Sequence, residues 1–408
     1  MSERVEVAIV GGGMVGSTLA AALAQAGIPV ALIDKADPAA LTEEAYDGRT
    51  VAIAHATHRL LQATGLWTRI VPHAEPILDI RVSDGPSLLF LHYDHRELGE
   101  DPLGYIVENR AVRRSLYARL GGLEGVRFRA PADLARHVVM PDGVALTLAD
   151  GSEFTAAVLI AADGGDSALR RAAGIAAAQW DYGQTAIVCT MGHEKPHRGV
   201  AHERFLPAGP FAVLPMTDDP RHGHRSSIVW TERASLVPAM LALSDADFSL
   251  ELYRRFGPWL GDVRVLGGRW SYPLRFLHAE SYVRPRFALV GDAAHVMHPI
   301  VGQGLNIGLR DVAALAEVLV EAKRLGLDPG STAVLERYQR WRRFDNQVLL
   351  TVTDALNRLF SNDLAPLRLA RDLGLAAVDR LAPLKRLFMR HAMGTVGELP
   401  RLLRGEAL

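Results

Sequence analysis

The amino-acid sequence predicts an α/β chain: a parallel sheet flanked by helices, a mixed β-sheet inserted into it, and a helical C-terminal region. Three observations carry that expectation. Apolar runs of strand length open at Val5, Val158 and Phe287, and each ends in a turn rich in glycine or aspartate. Between about Tyr182 and Tyr282 the chain breaks into short β-rich segments punctuated by Gly and Pro, as in Gly209-Pro210-Phe211-Ala212-Val213-Leu214-Pro215. After Asn306 it reads as almost wholly helical.

The size and charge of the chain exclude several function classes. Its 408 residues suffice for two or three domains with a buried core. Lys and Arg number 45 against 46 Asp and Glu, so no basic excess exists to hold a phosphate backbone, and nucleic acid is not expected as a partner. The one cysteine, Cys189, rules out an intrachain disulfide and suits a reducing compartment. It follows Ala186-Ile187-Val188 and reads as a packing residue. From Val7 to Ile33 no side chain is charged, which has the length of a membrane span. Gly11, Gly12, Gly13 and Gly16 at one end, with Gly27 and Pro29 at the other, fit a strand, turn, helix and strand instead. Glu3 and Glu6 spoil a signal-peptide reading, so a cytoplasmic protein is expected.

The elements follow in order. A strand over Val5–Val10 runs into Gly11-Gly12-Gly13-Met14-Val15-Gly16, a helix over Met14–Ala26 follows, and Val30–Ile33 is the next strand. The G-x-G-x-x-G spacing needs Gly11 for the tight turn, Gly13 for the approach of a pyrophosphate, and Gly16 for close helix packing. Asp34 closes the second strand, where a carboxylate holds ribose hydroxyls. This is a Rossmann-like dinucleotide site, and the motif does not distinguish NAD from FAD. A second strand, Val158–Ala161, leads into Asp163-Gly164 and on to Arg170, placing a carboxylate beside the dinucleotide. A third, Phe287–Val290, leads into Gly291-Asp292-Ala293-Ala294-His295 and then His298-Pro299-Ile300-Val301-Gly302-Gln303-Gly304-Leu305-Asn306. Asp292 is placed to accept hydrogen bonds from a flavin ribityl chain. The helix opened by Gly302, Gly304, Leu305 and Asn306 points its N–H groups at the isoalloxazine edge, where reduced flavin is negative. A nicotinamide enzyme has no use for this second unit, so FAD is the expected cofactor. His295 and His298 lie three apart without a third ligand in register, and no metal is expected.

The tail admits two readings. Residues 361–408 carry eight Lys/Arg and five Asp/Glu around apolar positions such as Leu375, Val378 and Leu381. They form a helical cap on the body or on a second subunit, or an amphipathic surface resting on lipid or a partner.

At these residues the chain resembles the class A flavoprotein monooxygenases, the para-hydroxybenzoate hydroxylase-like group, and within it the ubiquinone-biosynthesis hydroxylases. Asp47-Gly48-Arg49 followed by Thr50-Val51-Ala52-Ile53 is similar to the segment whose arginine lies near the flavin. Glu108-Asn109-Arg110 with Arg114 and Leu116 is similar to the family's flavin-contacting helix start, which assigns Arg110 to the cofactor. Glu203-Arg204-Phe205, the Gly209–Pro215 segment and the His298–Asn306 segment suggest the ubiquinone branch. Val301 departs from it, standing where that branch carries a smaller alanine, which puts the fit of flavin or substrate along that wall in question.

The resemblance implies hydroxylation of the aromatic ring of a (poly)prenylated phenol with O₂ through a C4a-hydroperoxyflavin, NAD(P)H docking transiently as reductant. It implies a discontinuous FAD-binding domain (1–75, 103–181, 282–340), a substrate domain (76–102, 182–281) that roofs the ring, and a helical region (341–408). The Pro299 carbonyl and the His298 ring are candidate partners of the phenol. A hydrophobic aromatic substrate is the expected partner, with peripheral inner-membrane contact, a biosynthetic complex and a homodimer left open. Two rivals stand beside this reading: an FAD-dependent reductase of a prenyl lipid that consumes no oxygen, and a non-catalytic component of a biosynthetic complex. The second predicts degraded flavin motifs, and here all three are intact. The Trp-x-Trp-x-Ile-Pro signature of flavin halogenases is absent.

Overall fold

A computed structural model describes residues 3–38, 40, 47–85, 87, 90–362 and 365–408, with the side chains at 301, 365–370, 372 and 373 outside that description. The altered wall expected at Val301 therefore lies outside the described residues.

The first sheet runs in the order Val283–Arg284, Phe287–Leu289, Glu153–Ala161, Glu3–Val10, Val30–Ile33 and Val126–Arg129. Its central pairs are parallel. A parallel strand is covered on both faces and so reads as a continuous apolar run. Val7, Ala8 and Ile9 on one strand and Val158, Leu159 and Ile160 on the next are sealed from solvent for that reason. The helix Met14–Gln25 buries Leu19, Ala20, Ala21 and Leu23, side chains small enough to lie close to the 21-residue helix Gly304–Arg324. The strand expected from Val158 begins at Glu153, because Gly143–Leu148 pairs antiparallel with its polar first half.

The second sheet has eight strands in the order His295–Val296, Val263–Ala279, Ala177–His193, Gly223–Arg233, Gly209–Asp219, Val200–Leu206, Asp79–Asp84 and Phe90–Asp94. The short segments expected here are in fact long strands, two of them 17 residues each. Their glycines mark shifts of register between Asp181 and Thr185 and between Cys189 and Thr190, so the chain bulges where a break was expected. A helix, Asp245–Phe256, also interrupts the β-rich stretch. Ser244 caps it by accepting from Asp247 N at 3.1 Å, and Phe248, Leu252 and Phe256 bury its inner stripe against Trp230, Phe211 and Cys189. The strand Ala177–His193 starts before the domain edge expected at 182.

A small sheet of Thr50–Ala54, Gly104–Glu108 and Ala74–Ile77 joins the two large ones. Helices Thr332–Phe360, Ala365–Arg380 and Ala382–Met393 form the tail. Arg371 Nε meets Asp84 Oδ2 at 2.7 Å, Lys385 meets Glu97 at 2.6 Å, and Met389 and Met393 pack with Ile77, Leu103 and Ile106. Of the two readings of the tail, these contacts are those of a cap on the chain's own body. Among the described residues no helix is long and apolar enough to cross a membrane.

Candidate functional site

The parallel register brings three separated turns to one edge of the first sheet. Val10 lies opposite both Ala161 and Ile33, and Ala161 lies opposite Leu289. Gly11, Asp34, Asp163 and Gly291-Asp292 therefore all follow strand ends within a residue or two of one level. That is the carboxyl end of a parallel sheet, where ligands bind in open α/β folds.

Each glycine of the first turn meets a different demand. Gly11 has φ +109°, and a Cβ there would stand 2.2 Å from the Ala162 carbonyl oxygen. A Cβ on Gly16 would stand 1.9 Å from Gly11 O. Gly13, the N-cap of Met14–Gln25, has nothing within 4 Å of its Cβ position. Two glycines are thus held by the protein's own backbone, while the third faces open space at a helix N-terminus, as an anion cradle requires. Asp34 Oδ2 accepts from Gly12 N and Oδ1 accepts from Ala36 N at 2.7 Å, so the carboxylate also braces the turn. Asp163 accepts from Leu169 N at 3.2 Å through Oδ2, and its Oδ1 is buried without a hydrogen-bond partner among the described residues.

The third turn faces a cleft. Asp292 is exposed, yet burial raises its pKa against the lowering by His295 and Arg275. A carboxylate enclosed by protein and still reached by solvent lines an internal cleft. Behind it lies a sealed network. His295 Nε2 is 2.5 Å from Asp311 Oδ2, and Gly291 N donates to the same oxygen at 3.2 Å. Arg342 Nε and Asn346 Nδ2 donate to Asp311 Oδ1 at 3.1 and 2.9 Å. Burial raises the Asp311 pKa, but His295, Arg342 and Asn346 outweigh it and hold the carboxyl below its ordinary range.

Gly302, at φ +62°, and Gly304 open the helix Gly304–Arg324, and no atom lies within 4 Å of a Cβ on Gly304. Leu305, at the first turn of that helix, is half-buried. Asn306 is buried and bonds to the strand beside it: its Nδ2 donates to Ala52 O at 2.9 Å and its Oδ1 accepts from Ala54 N at 2.9 Å. It fixes the helix start against that strand. The Pro299 carbonyl accepts from Gly302 N at 2.9 Å. His298 is buried edge-on to Tyr182, 5.2 Å between ring centroids, and its Nε2 has no partner among the described residues. Burial lowers its pKa to about 4, so the ring is neutral near pH 7.

Two expected cofactor residues, Arg49 and Arg110, make contacts with nearby side chains. Arg49 pairs with Asp47 at 2.6 Å and lies over the Tyr272 ring at 5.1 Å, joining the small sheet to the second one. Arg110 bonds to Glu108 at 2.5 Å and lines a cavity of about 290 Å³ with Arg69, His73 and Arg114. On the same helix, Asn109–Leu120, it is Tyr117 that reaches the glycine turn, donating to Gly12 O at 3.2 Å. Asn109 opens that helix, and its Oδ1 is buried without a partner among the described residues. Sequence reasoning named Asn109 only as part of the Glu108-Asn109-Arg110 segment, and it missed the His295–Asp311–Arg342 network. The signal for the network was a carboxylate, Asp311, in an otherwise apolar helix stripe.

These features fit an extended flavin dinucleotide: open space before Gly13 and Gly304, and unpartnered buried oxygens at Asp163 and Asn109. The comparisons agree. Residues 4–350 match the family model described as an FAD binding domain. The chain is 56% identical over 406 residues to ubiquinone hydroxylase UbiL of Rhodospirillum rubrum, covering 99% of this chain and 93% of that protein. It is 36% identical over 395 residues to 3-demethoxyubiquinol 3-hydroxylase of Escherichia coli, covering 96% and 99%. Its fold superposes on p-nitrophenol 4-monooxygenase from Pseudomonas putida with a TM-score of 0.79 at 22% identity, covering 97% of this chain and all of the other.

Proposed function

The chain belongs to the FAD-dependent monooxygenases, in the family of the ubiquinone-biosynthesis hydroxylases, and from that premise we propose that it hydroxylates the aromatic ring of a prenylated phenol on the route to ubiquinone. One observation supports the assignment of its cofactor residues above all others. Three turns distant in sequence, at Gly11, Asp163 and Asp292, meet at one sheet edge beside the helix start at Gly304.

Bound FAD, reduced by NAD(P)H, supplies the electrons and the activation of O₂. The residues position and insulate it. The N-terminus of Met14–Gln25 takes the pyrophosphate, Asp34 the adenosine ribose and Asp292 the ribityl hydroxyls. The N–H groups opened by Gly302 and Gly304 face the pyrimidine edge of the ring, where negative charge collects on reduction. The second sheet would cover the ring of the bound cofactor and keep water from it. The apolar side chains Ala186, Val188 and Leu274 on its buried face suit a hydrophobic substrate. His298 is neutral near pH 7 and offers a nitrogen as acceptor to a phenol, with the Pro299 carbonyl beside it.

The test is to reduce the purified holoenzyme anaerobically and admit O₂ with a soluble prenyl-phenol. A ring-hydroxylated product is expected. Reduction of the added lipid without oxygen consumption would point to the reductase instead.

A further inference from the structure

Glu203 lies on the strand Val200–Leu206, and its neighbours two residues away fix the direction of its face. Ala201 is buried with Met216 and Met389, against a partly buried Ala52. Phe205 is buried with Ile300 and Phe360. Ala52 holds Asn306 through its carbonyl, and Ile300 begins the short turn that ends at Gly302. Glu203 is thus directed at the space over the Gly302–Asn306 turn. Its cross-strand neighbours, Val82 and Ala212, are apolar, as are Val229 and Val188 beyond them. The charged and titratable residues beside it on the strand, His202 and Arg204, turn to the opposite face: His202 against the Phe256 ring and Arg204 to Arg255 O.

The carboxyl has no hydrogen bond or ion pair among the described residues. Burial alone pushes its pKa up to about 8, yet the residue keeps some accessible surface. A carboxyl left without partners in an apolar wall costs stability and has no structural task there.

Building on the function proposed above, we propose that Glu203 is a further contact to the substrate's ring oxygen, in addition to His298. Its carboxyl exchanges hydrogen bonds with the hydroxyl of a phenol laid over the Gly302–Asn306 turn, while Val82, Ala212 and Val229 enclose the ring and the start of its prenyl chain.

The experiment titrates two ligands into the oxidised holoenzyme and follows the flavin absorbance: a short-chain prenyl-phenol and the same molecule without its hydroxyl. The wild type should prefer the phenol by roughly 10-fold, the worth of one buried hydrogen bond. In Glu203→Leu and Glu203→Met the preference should fall several-fold, with full FAD content and a Tm at or above that of the wild type. Glu203→Gln, which keeps a donor and an acceptor, should recover part of it. An unchanged preference in a flavin-loaded E203L or E203M, or no preference in the wild type, overturns the contact. Loss of preference in both variants, with no hydroxylation of the phenol by the wild type, supports the contact and overturns the function proposed above.

Discussion

His295 and Asp311 face each other at 2.5 Å in a site that solvent does not reach, and the same carboxylate receives the backbone N–H of Gly291. The residue after Gly291 is Asp292. The pair therefore holds the turn that presents Asp292, the carboxylate proposed for the ribityl chain, and Arg342 locks it from the tail side. Removing the Asp311 carboxyl takes the acceptor from Gly291 N, His295 and Asn346 and leaves Arg342 only Asp345 as a counter-charge among the described residues, so Asp311→Ala should destabilise the fold by about 3–5 kcal/mol. Thermal unfolding with the FAD content checks it; an unchanged Tm with full flavin would show that the network is dispensable. The sign with pH follows from a depressed carboxylate. Its stabilisation is present above the ordinary Asp range near 3.8 and is lost as pH falls below it through the folded value.

Gly13 and Gly11 should separate binding from folding. Gly13→Ala adds a methyl where no protein atom lies within 4 Å, so the apoprotein should unfold within about 0.5 kcal/mol of the wild type while FAD affinity drops. Gly11→Ala collides with the Ala162 carbonyl at a positive φ and should lower the Tm even without flavin. Urea melts of flavin-free protein with fluorescence titration of FAD decide both. Equal FAD affinity in G13A and wild type would remove the cradle assignment.

Asp292→Ala should lose bound FAD on purification, because no other carboxylate stands on that turn. Retention of stoichiometric flavin in the visible spectrum contradicts its ribityl role.

His298 titrates at about 4, below the ordinary His value of 6.5. A His depressed on folding stabilises the neutral form: its contribution is present above pH 6.5 and is lost as pH falls toward 4. The kcat profile should therefore lack a limb from this residue between pH 5 and 8. His298→Gln should leave the shape of that profile unchanged while lowering kcat. A limb near 6.5 that vanishes in H298Q would show a charged catalytic histidine.

The Asp84–Arg371 pair is buried on both sides and ties the tail to the second sheet. Asp84→Ala should cost about 3–5 kcal/mol and open the helices after Phe360 to protease. Limited proteolysis at native conditions reads this directly, and an unchanged cleavage pattern would mean the cap is held elsewhere.

Much of the first sheet was legible because both faces of a parallel strand are covered. The apolar runs at Val7–Val10 and Val158–Ala161 can serve little else, and the turns after them carry their chemistry in consecutive residues. The second sheet was harder. Gly183 and Gly267 read as breaks, but they lie in strands long enough to absorb a bulge. The helix Asp245–Phe256 was lost in a texture averaged over a hundred residues, although Phe248, Leu252 and Phe256 repeat at four.

The sequence by itself determined the glycine turn after the first strand, the family, and the Gly291–Asn306 segment as a candidate flavin turn, because those motifs lie in short stretches of chain. The tertiary structure alone decided which groups those turns use. Whether the Asn109 amide is solvated or buried depends on how one helix packs, the helix whose Tyr117 reaches Gly12. Whether Asp311 is a solvated helix charge or the anchor of Gly291 depends on Arg342, 31 residues away. Glu203 is one polar residue in an alternating strand until the sheet is folded over the Gly302 turn. Local patterns encode local geometry; burial and pairing belong to contacts between distant segments, and those exist only once the chain has folded.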